Sequence, residues 1–449
     1  MILESLNPKQ LEAVKTTEGP VLIVAGPGSG KTKVLTHRIA YLIQKGITSQ
    51  SILAVTFTNK AANEMKERVQ KLLVRNKYAK PGRPPYLPLI GTFHSICARL
   101  LRQEAKTIGF SRDFVIFDDK DSQALIKKIM DEIEISQEQF RPQAIANAIS
   151  QAKNELVNEK EYSASAVDFF QQTTAKIYEV YQQRLTKSNA MDFDDLIMRT
   201  IILFQKNEEI LKKYQDQFKY ILVDEYQDTN HAQYLFVNLL AAKTRNICAV
   251  GDFDQAIYAF RGADFRNILN FEKDYPEAKI VFLEQNYRST QTILDAAQAV
   301  ISKNSNRKEK SLWTENDAGQ PVVFYAALDE QDESGFIIRE VSRLKERHNL
   351  RFRDFTVLYR TNAQSRSIEE AFLKYGFPYK VVGTVKFYER KEIKDLVAFL
   401  RLIHNPADDL SAERIINVPP RGLGKATNWR ELANSEAAIS SLTPKRLAA

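Results

Sequence analysis

The chain has 449 residues, 44% of them hydrophobic and 27% charged, which is typical of a globular protein with two or three domains. Its 64 Lys and Arg exceed its 56 Asp and Glu, and the net charge of +8 favours polyanionic partners without identifying one. No uncharged apolar run approaches the roughly 18 residues of a membrane span, and no basic-then-apolar leader opens the chain. We therefore expect a cytoplasmic protein with no membrane partner. Cys97 and Cys248 lie in apolar runs without CxxC spacing, and we interpret them as reduced core thiols.

Short apolar runs rich in β-branched residues alternate with helical patterns, which predicts doubly wound α/β architecture with buried parallel strands. The predicted strands are PVLIVAG, ILAVTFT, YLPLIGTFH, YILVDE, NICAVGD, AKIVFLEQN, PVVFYAAL and FTVLYRT. Polar amphipathic stretches predict a helical subdomain over 112–189, inserted into a first α/β domain that comprises 1–111 and 190–279. A second α/β unit is predicted over 280–390, and the chain turns helical again over 391–449.

The motif AGPGSGKT stands between the predicted strand VLIVA and the predicted helix KTKVLTHRIAYLI. Glycines let a backbone wrap a phosphate chain, and the N–H groups at the start of the helix point at its oxygens. Lys31 would supply charge for the β and γ phosphates, and the Thr32 hydroxyl would ligate Mg²⁺. A chance glycine-rich turn is the alternative, but the placement favours a nucleotide site. The loop itself consists of Ala25, where the motif usually has Gly, followed by Gly26, Pro27, Gly28, Ser29 and Gly30.

Polar side chains that suit hydrolysis follow three further predicted strands. In ILVDEYQD, Asp224 would hold Mg²⁺ directly or through water, and Glu225 would take a proton from the attacking water. Two solvated acids after a strand are the alternative. Gln255, in AVGDFDQAIYAFRGAD, would orient water or sense the γ-phosphate. Arg288, in LEQNYRST, would stabilise the transferring phosphoryl group, and a surface salt bridge remains the open alternative for it.

A family resemblance rests on eight motifs in order: LNPKQ, AGPGSGKT, AVTFTNKAANEM, GTFHS, VDEYQD, VGDFDQAIYAFRGA, LEQNYRS and VLYRTNAQSR. From residue 3 to about 425 the chain resembles the UvrD/Rep/PcrA-type superfamily 1A DNA helicases. The resemblance implies two P-loop (RecA-like) parallel-sheet motor domains with inserted helical subdomains. It also implies ATP and Mg²⁺ as cofactors and 3′-to-5′ movement on single-stranded DNA. Duplex/single-strand junctions are the implied substrates, in repair or replication, with protein partners that the sequence does not identify.

The resemblance also implies roles for individual residues. It places Gln10 on the edge of adenine, Tyr287 on its face and Arg38 on the nucleotide side, and it makes Arg288 an arginine finger. For DNA it points to aromatic rings, on which bases stack without sequence preference. These rings are Phe57, Tyr258 and Phe260, where the family often has Trp in place of Phe260. Core packing is the alternative for Phe57 and Phe260. Arg360 is expected near DNA or the interdomain cleft, with a helix-capping or structural role as the alternative.

The C-terminal part departs from the family pattern. Family members continue past NVPPRGLGK with the rest of a helical subdomain and two further motifs, one of which carries a second γ-phosphate arginine. We find neither motif here, and we therefore expect a truncated helicase whose second motor domain is incomplete. One alternative is a fragment that binds nucleotide and single-stranded DNA without unwinding. Another is the helicase part of a recombination nuclease, although no carboxylate-rich nuclease domain is present up to residue 449.

Overall fold

The computed structural model describes residues 2–76, 78, 85–259, 262–264, 266–304, 310–382 and 391–421. The chain divides into two compact units, the first made of Met1–Gly319 and Asp395–Ala449 and the second of Gln320–Lys394. Within the described ranges, every helix is too short or too polar to cross a membrane. The predicted segment 391–449 is described only as far as residue 421.

A parallel sheet of six strands forms the centre of the first unit, with the order β3-β2-β6-β7-β1-β8. Strands β1, β2, β6 and β7 are buried along their whole length, because helices cover both faces of the sheet. The strands are β1 (Val21–Ala25), β2 (Ile52–Thr56), β3 (Leu89–Thr92), β4 (Val115–Phe117), β5 (Ala190–Asp192), β6 (Tyr220–Val223), β7 (Ile247–Gly251) and β8 (Lys279–Leu283). The α/β class predicted from the alternating patterns is confirmed.

Two apolar cores lie on opposite faces of this sheet, because successive side chains of a strand point in opposite directions. In β1, Leu22 and Val24 belong to one core, and Val21 and Ile23 to the other. Both cysteines are buried free thiols, as predicted.

The helices are α1 (Pro8–Lys15), α2 (Lys31–Gln44), α3 (Asn59–Arg75), α4 (Phe93–Gln103), α5 (Asp119–Glu132), α6 (Pro142–Asn154), α7 (Glu159–Ser165), α8 (Phe169–Lys187), α9 (Phe193–Lys206), α10 (Glu208–Gln217), α11 (His231–Ala241), α12 (Arg266–Asp274), α13 (Gln291–Ile301), α14 (Glu330–His348), α15 (Ser365–Lys374), α16 (Lys391–His404) and α17 (Asp409–Ile415).

The segment 112–189 contains helices α5 to α8 and has an apolar core of its own, which includes Ile129, Ile145 and Tyr181. A short parallel pair, β4 with β5, joins the two ends of this segment. The sequence did not indicate these two strands, because three residues are too few for a periodic pattern.

Strand β8 occupies a different place from the one that we expected. It pairs with β1 from Val21↔Lys279 to Ala25↔Leu283, at the edge of the first sheet, whereas we expected it to begin a second α/β unit near 280. Its side chains Val281 and Leu283 are buried in the same core as Val21. An apolar run predicts a strand but does not specify the sheet that it joins, and the predicted domain bounds stay predictions.

The second unit carries helices α14 and α15. The runs PVVFYAAL and FTVLYRT form no strand within residues 320–382, although both were predicted as strands. Their large apolar side chains are exposed, with Phe324 at 91%, Leu328 at 94% and Leu358 at 88%. A parallel strand forms only when a neighbouring strand supplies ladder hydrogen bonds, and apolar composition alone does not provide that neighbour.

Candidate nucleotide-binding site

The loop between β1 and α2 has the backbone geometry that the glycines of AGPGSGKT predict. Gly28 and Gly30 have φ of 68° and 92°, which side-chain-bearing residues adopt at a cost. Ser29 Oγ donates a hydrogen bond to the Gly26 carbonyl oxygen at 2.7 Å and closes the turn. Helix α2 begins at Lys31, and the N–H groups of its first turn have no acceptor within the helix. The loop therefore offers a cradle of donors for an anion.

Three of the predicted catalytic side chains meet at this loop. Lys31 Nζ lies 2.7 Å from Glu225 Oε2 and 3.5 Å from Gln255 Oε1. Glu225 follows β6 and Gln255 follows β7, and the carboxyl ends of parallel strands lie at one edge of the sheet. The sheet topology therefore brings together residues that are 194 and 224 positions apart in the sequence.

The two carboxylates after β6 have different surroundings. Asp224 is 6% exposed, and its burial, assisted by the charge of Glu225 and opposed by Lys31, raises the pKa of Asp224 to about 7. Glu225 is partly exposed and adopts a left-handed backbone conformation with φ of 52°. Such strained conformations concentrate at functional sites. The buried Asp224 carboxylate is thus suited to binding a cation. The partly exposed Glu225 carboxylate is suited to contact with a water molecule.

Oxygen donors at this edge of the sheet match the preferences of Mg²⁺. They are the Thr32 hydroxyl and the Asp224 carboxylate, and Asp228 adds a buried Oδ1 atom that has no hydrogen-bond partner. Burial first, and then the charge of Glu225, raises the pKa of Asp228 to about 6. Among the described residues no three His, Cys, Asp or Glu side chains converge as a complete metal site. The donor set therefore fits a magnesium ion that arrives with phosphate oxygens as further ligands.

Asn286 fastens the segment NYRS to the phosphate loop, a role that sequence reasoning missed. Its Nδ2 donates to the Pro27 carbonyl oxygen at 2.6 Å, and its Oδ1 accepts from the N–H groups of Arg288 and Ser289 at 2.8 and 2.7 Å. The N–H of Tyr287 also donates to the Gly28 carbonyl oxygen at 3.0 Å. The sequence did contain a signal for this role, because Asn286 stands at the end of a predicted strand. Asn side chains at such turns commonly accept hydrogen bonds from backbone N–H groups two or three residues later in the chain.

Gln10 and Tyr287, the predicted adenine contacts, both lie against this loop. Gln10 is 1% exposed, and its Nε2 donates to the Ser29 carbonyl oxygen at 2.9 Å. Tyr287 is 48% exposed, and its hydroxyl accepts from Asn7 Nδ2 at 2.7 Å. Asn7 also caps helix α1, which carries Gln10. One asparagine therefore links the two elements that would hold a base.

The remaining arginines have different surroundings. Arg38 is 2% exposed and donates to the carbonyl oxygens of Ala13 and Thr17 at 2.7 and 3.4 Å, so it holds the end of α1. The nucleotide-side role of Arg38 stays a prediction. Arg288 lies beside Gly28. A Cβ added to Gly28 would be 2.7 Å from the Cβ of Arg288. Arg360 is an exposed residue of the second unit.

Two of the predicted base-stacking residues form a ring pair. The ring centroids of Phe57 and Tyr258 are 4.8 Å apart with planes tilted by 34°, and both side chains are half-buried. Phe57 follows β2, and Tyr258 comes three residues after Gln255. The Phe57 ring thus packs against a neighbouring ring and keeps part of its surface exposed, and its stacking role stays a prediction. The third predicted ring, Phe260, lies outside the described residues.

Comparison with known proteins adds a family assignment to this geometry. The family model of the UvrD/REP helicase N-terminal domain matches residues 6–276, and that of the UvrD-like helicase C-terminal domain matches residues 281–442. The ATP-dependent DNA helicase PcrA of Staphylococcus aureus (strain NCTC 8325 / PS 47) is 53% identical over 427 residues. The protein of the same name from Staphylococcus epidermidis (strain ATCC 12228 / FDA PCI 1200) is 51% identical over 427 residues. Each match covers 95% of this chain and 57% of the relative, so the chain spans 57% of the length of these curated relatives.

Proposed function

Because this chain belongs to the UvrD/Rep helicase family, we propose that it hydrolyses ATP to drive 3′-to-5′ movement along single-stranded DNA. The observation that carries the proposal is the meeting of Lys31, Glu225 and Gln255 beneath a phosphate loop. A cation, a carboxylate and an amide in that arrangement can bind a γ-phosphate, take a proton from water and orient that water.

ATP hydrolysis assigns one task to each of these side chains. Lys31 moves from the Glu225 carboxylate to the β and γ phosphates when nucleotide enters. Glu225 is then free to accept the proton of the attacking water, which Gln255 orients. Thr32 and Asp224 would hold Mg²⁺, which supplies neutralising charge at the phosphate oxygens. Arg288, held next to the loop by Asn286, stabilises the charge that develops on the transferring phosphoryl group.

Adenine is held by Gln10 and Tyr287, whose support by Asn7 and the phosphate loop favours this role. The amide of Gln10 reads the base edge, and the half-exposed Tyr287 ring covers its face. The two residues together give the site a preference for adenine nucleotides.

Single-stranded DNA binds across the rings of Phe57 and Tyr258, on which bases stack without sequence preference. The net charge of +8 favours the phosphate backbone. Tyr258 follows Gln255 by three residues, so a change at the γ-phosphate can reach the stacked base through this short segment. Arg360 and Phe260 provide further DNA contacts. Junctions of duplex with single strand are the proposed substrates, in DNA repair or replication.

A second candidate is that the 449-residue chain binds nucleotide and single-stranded DNA but does not separate strands. It is favoured by the exposed apolar side chains of the second unit, among them Phe324 and Leu358. Movement requires two domains that change their contacts with each nucleotide state. A second unit with that much exposed apolar surface is poorly suited to such a cycle.

Phosphate release with and without single-stranded DNA tests the proposal, together with strand separation on duplexes that carry a 3′ or a 5′ tail. We expect DNA-stimulated release, separation only of the 3′-tailed duplex, and neither activity in Lys31→Ala. DNA-stimulated release without separation would support the second candidate. A cooperatively folded chain that neither binds nor hydrolyses ATP would overturn both.

A further inference from the structure

Lys310 is a buried lysine that the proposed chemistry has not yet used. It is 5% exposed, and its ammonium group forms ion pairs with Asp252 and, at 3.0 Å, with Asp254. Removing an ammonium ion from water is costly unless carboxylates compensate for it. Lys310 follows the first unit's α13 and lies 58 residues from Asp252 in the sequence. Its partners therefore come from tertiary structure.

The carboxylate of Asp252 joins Lys310 to Gln255. Asp252 is completely buried, with Oδ1 paired to Lys310 and Oδ2 accepting a hydrogen bond from Gln255 Nε2 at 2.6 Å. Because the nitrogen of the Gln255 amide is engaged by Asp252, its oxygen faces Lys31 Nζ at 3.5 Å. Asp252 thus determines which end of the Gln255 amide is presented to the phosphate site, and Lys310 pairs with the other oxygen of the same carboxylate.

A second chain of hydrogen bonds connects Asp252 to Glu225, the predicted general base. Its backbone N–H donates to Gln227 Oε1 at 3.0 Å, and Gln227 Nε2 donates to Glu225 Oε2 at 3.0 Å. Asp252 therefore influences Gln255 through its side chain and Glu225 through Gln227. Displacement of Asp252 would weaken the hydrogen bonds that lead to both residues, because neighbouring hydrogen bonds in a network strengthen one another.

The residues after Lys310 contact the phosphate loop itself. Leu312 packs closely against Gly26, where an added Cβ would displace the end of the Leu312 side chain. The carbonyl oxygen of Trp313 accepts from the N–H of Asn286 at 2.8 Å, and Asn286 holds the Pro27 carbonyl. The segment 310–313 consequently joins the phosphate loop to the end of β7.

We propose that Lys310 is a positioning residue for ATP hydrolysis, which holds the Gln255 amide oxygen toward the phosphate site through Asp252. The inference rests on the proposed function of the nucleotide site. Lys310 does not touch the nucleotide. Without its ammonium group, the buried Asp252 carboxylate loses its cation and the Gln255 amide is no longer held in one orientation.

The test compares Lys310→Met, Lys310→Arg, Gln255→Ala and the double variant Lys310→Met/Gln255→Ala in steady-state ATP hydrolysis. We expect Lys310→Met to lower kcat by about 10- to 100-fold with KM changed less than about threefold, since a misplaced group slows chemistry more than binding. Lys310→Arg should restore part of the lost rate. The double variant should be no slower than the slower single variant, because both changes remove the same function.

A matched control is Lys213→Met, which removes a lysine that pairs with Glu104 at 2.6 Å on the surface and should keep the rate of the unaltered protein. A kcat for Lys310→Met within about twofold of the unaltered protein, or a KM effect without a kcat effect, would overturn the proposal. Multiplying effects in the double variant would also overturn it. If Lys310→Met does not fold, Lys310→Gln replaces it and is judged by the same limits on kcat and KM. If neither variant folds, Lys310 serves the stability of the fold and the proposal is overturned. If the unaltered protein does not hydrolyse ATP, the proposed function itself fails, and the role of Lys310 with it.

Discussion

The ammonium nitrogen of Lys31 lies 2.7 Å from Oε2 of Glu225, so the proposed phosphate ligand and the proposed base neutralise each other. The Lys31 side chain is 11% exposed and that of Glu225 is 34% exposed. A γ-phosphate that enters the loop competes with Glu225 for the ammonium group. Glu225 can therefore act as a base only after nucleotide has taken Lys31, so binding of the nucleotide itself would release the base.

Glu225→Gln should retain ATP binding and lose hydrolysis, because an amide fills the space of the carboxylate but cannot accept a proton from water. We expect kcat to fall by about 10² to 10⁴-fold, the usual contribution of a general base. Equilibrium binding of ATP·Mg²⁺ and single-turnover phosphate release measure the two effects separately. Glu277→Gln, a surface acid paired with Arg245 at 2.9 Å, is the control. Normal hydrolysis by Glu225→Gln would mean that the base lies elsewhere.

Gly28→Ala should weaken nucleotide binding by displacing the segment NYRS from the loop. A Cβ at this position would lie 2.7 Å from Arg288 Cβ and 2.9 Å from Asn286 Nδ2, at a φ of +68°. Gly46→Ala is the control, since Gly46 has a φ of +90° and no heavy atom within 4 Å of an added Cβ. Both variants bear the backbone strain of about 1 kcal/mol, and only Gly28→Ala adds the steric conflict. Equal ATP affinities for the two variants would contradict the docking role of Asn286 and Arg288.

Phe57→Ala and Tyr258→Ala should each weaken binding of single-stranded DNA by about 1–3 kcal/mol, the usual value of one stacked base. Fluorescence anisotropy with oligonucleotides of several sequences, at rising salt, provides the measurement. We expect affinity to fall with salt and to vary little with sequence. Tyr86→Ala removes an aromatic ring that is 84% exposed and should leave the affinity unchanged. A strong preference for one sequence or for intact duplex would argue against the motor.

His94 should make the first unit less stable in acid. Burial lowers its pKa to about 4, from an ordinary value of 6.5, and its ring lies edge-on to Phe193 with centroids 5.6 Å apart. Between these two values the unfolded chain binds more protons than the folded chain. The stabilisation is therefore complete above pH 6.5 and is lost as pH falls toward 4, by at most about 3 kcal/mol.

Urea unfolding at pH 7.5 and pH 5 measures this effect in the unaltered protein and in His94→Asn. The difference in unfolding free energy between the two pH values should be smaller in His94→Asn, because the variant has no imidazole to protonate. His231→Asn removes an exposed histidine from the start of α11 and should leave the difference unchanged. An equal pH dependence in all three proteins would exclude His94 as its source.

Local sequence was sufficient for the parts of this protein that depend on short stretches of chain. The glycines of the phosphate loop were recognisable because positive φ values restrict the residue type. Glu225 and Gln255 were recognisable as candidates because they follow apolar runs, and both meet Lys31 at the edge of the sheet where parallel strands end. The family resemblance, which rested on motif order, is confirmed by matches to two family models. The roles of the individual residues stay predictions.

Only the tertiary structure decided the contacts between distant segments. Three contacts have no local signature: the pairing of β8 at the edge of the sheet, the packing of Arg38 of α2 against α1, and the bond of Asn286 to Pro27, 259 residues away. The same holds for Lys310, since its charge in the sequence predicts a solvated side chain, whereas it is buried between Asp252 and Asp254. Such pairings depend on which surfaces the fold brings together. The residues that flank a side chain in the sequence do not specify which distant residue it will contact.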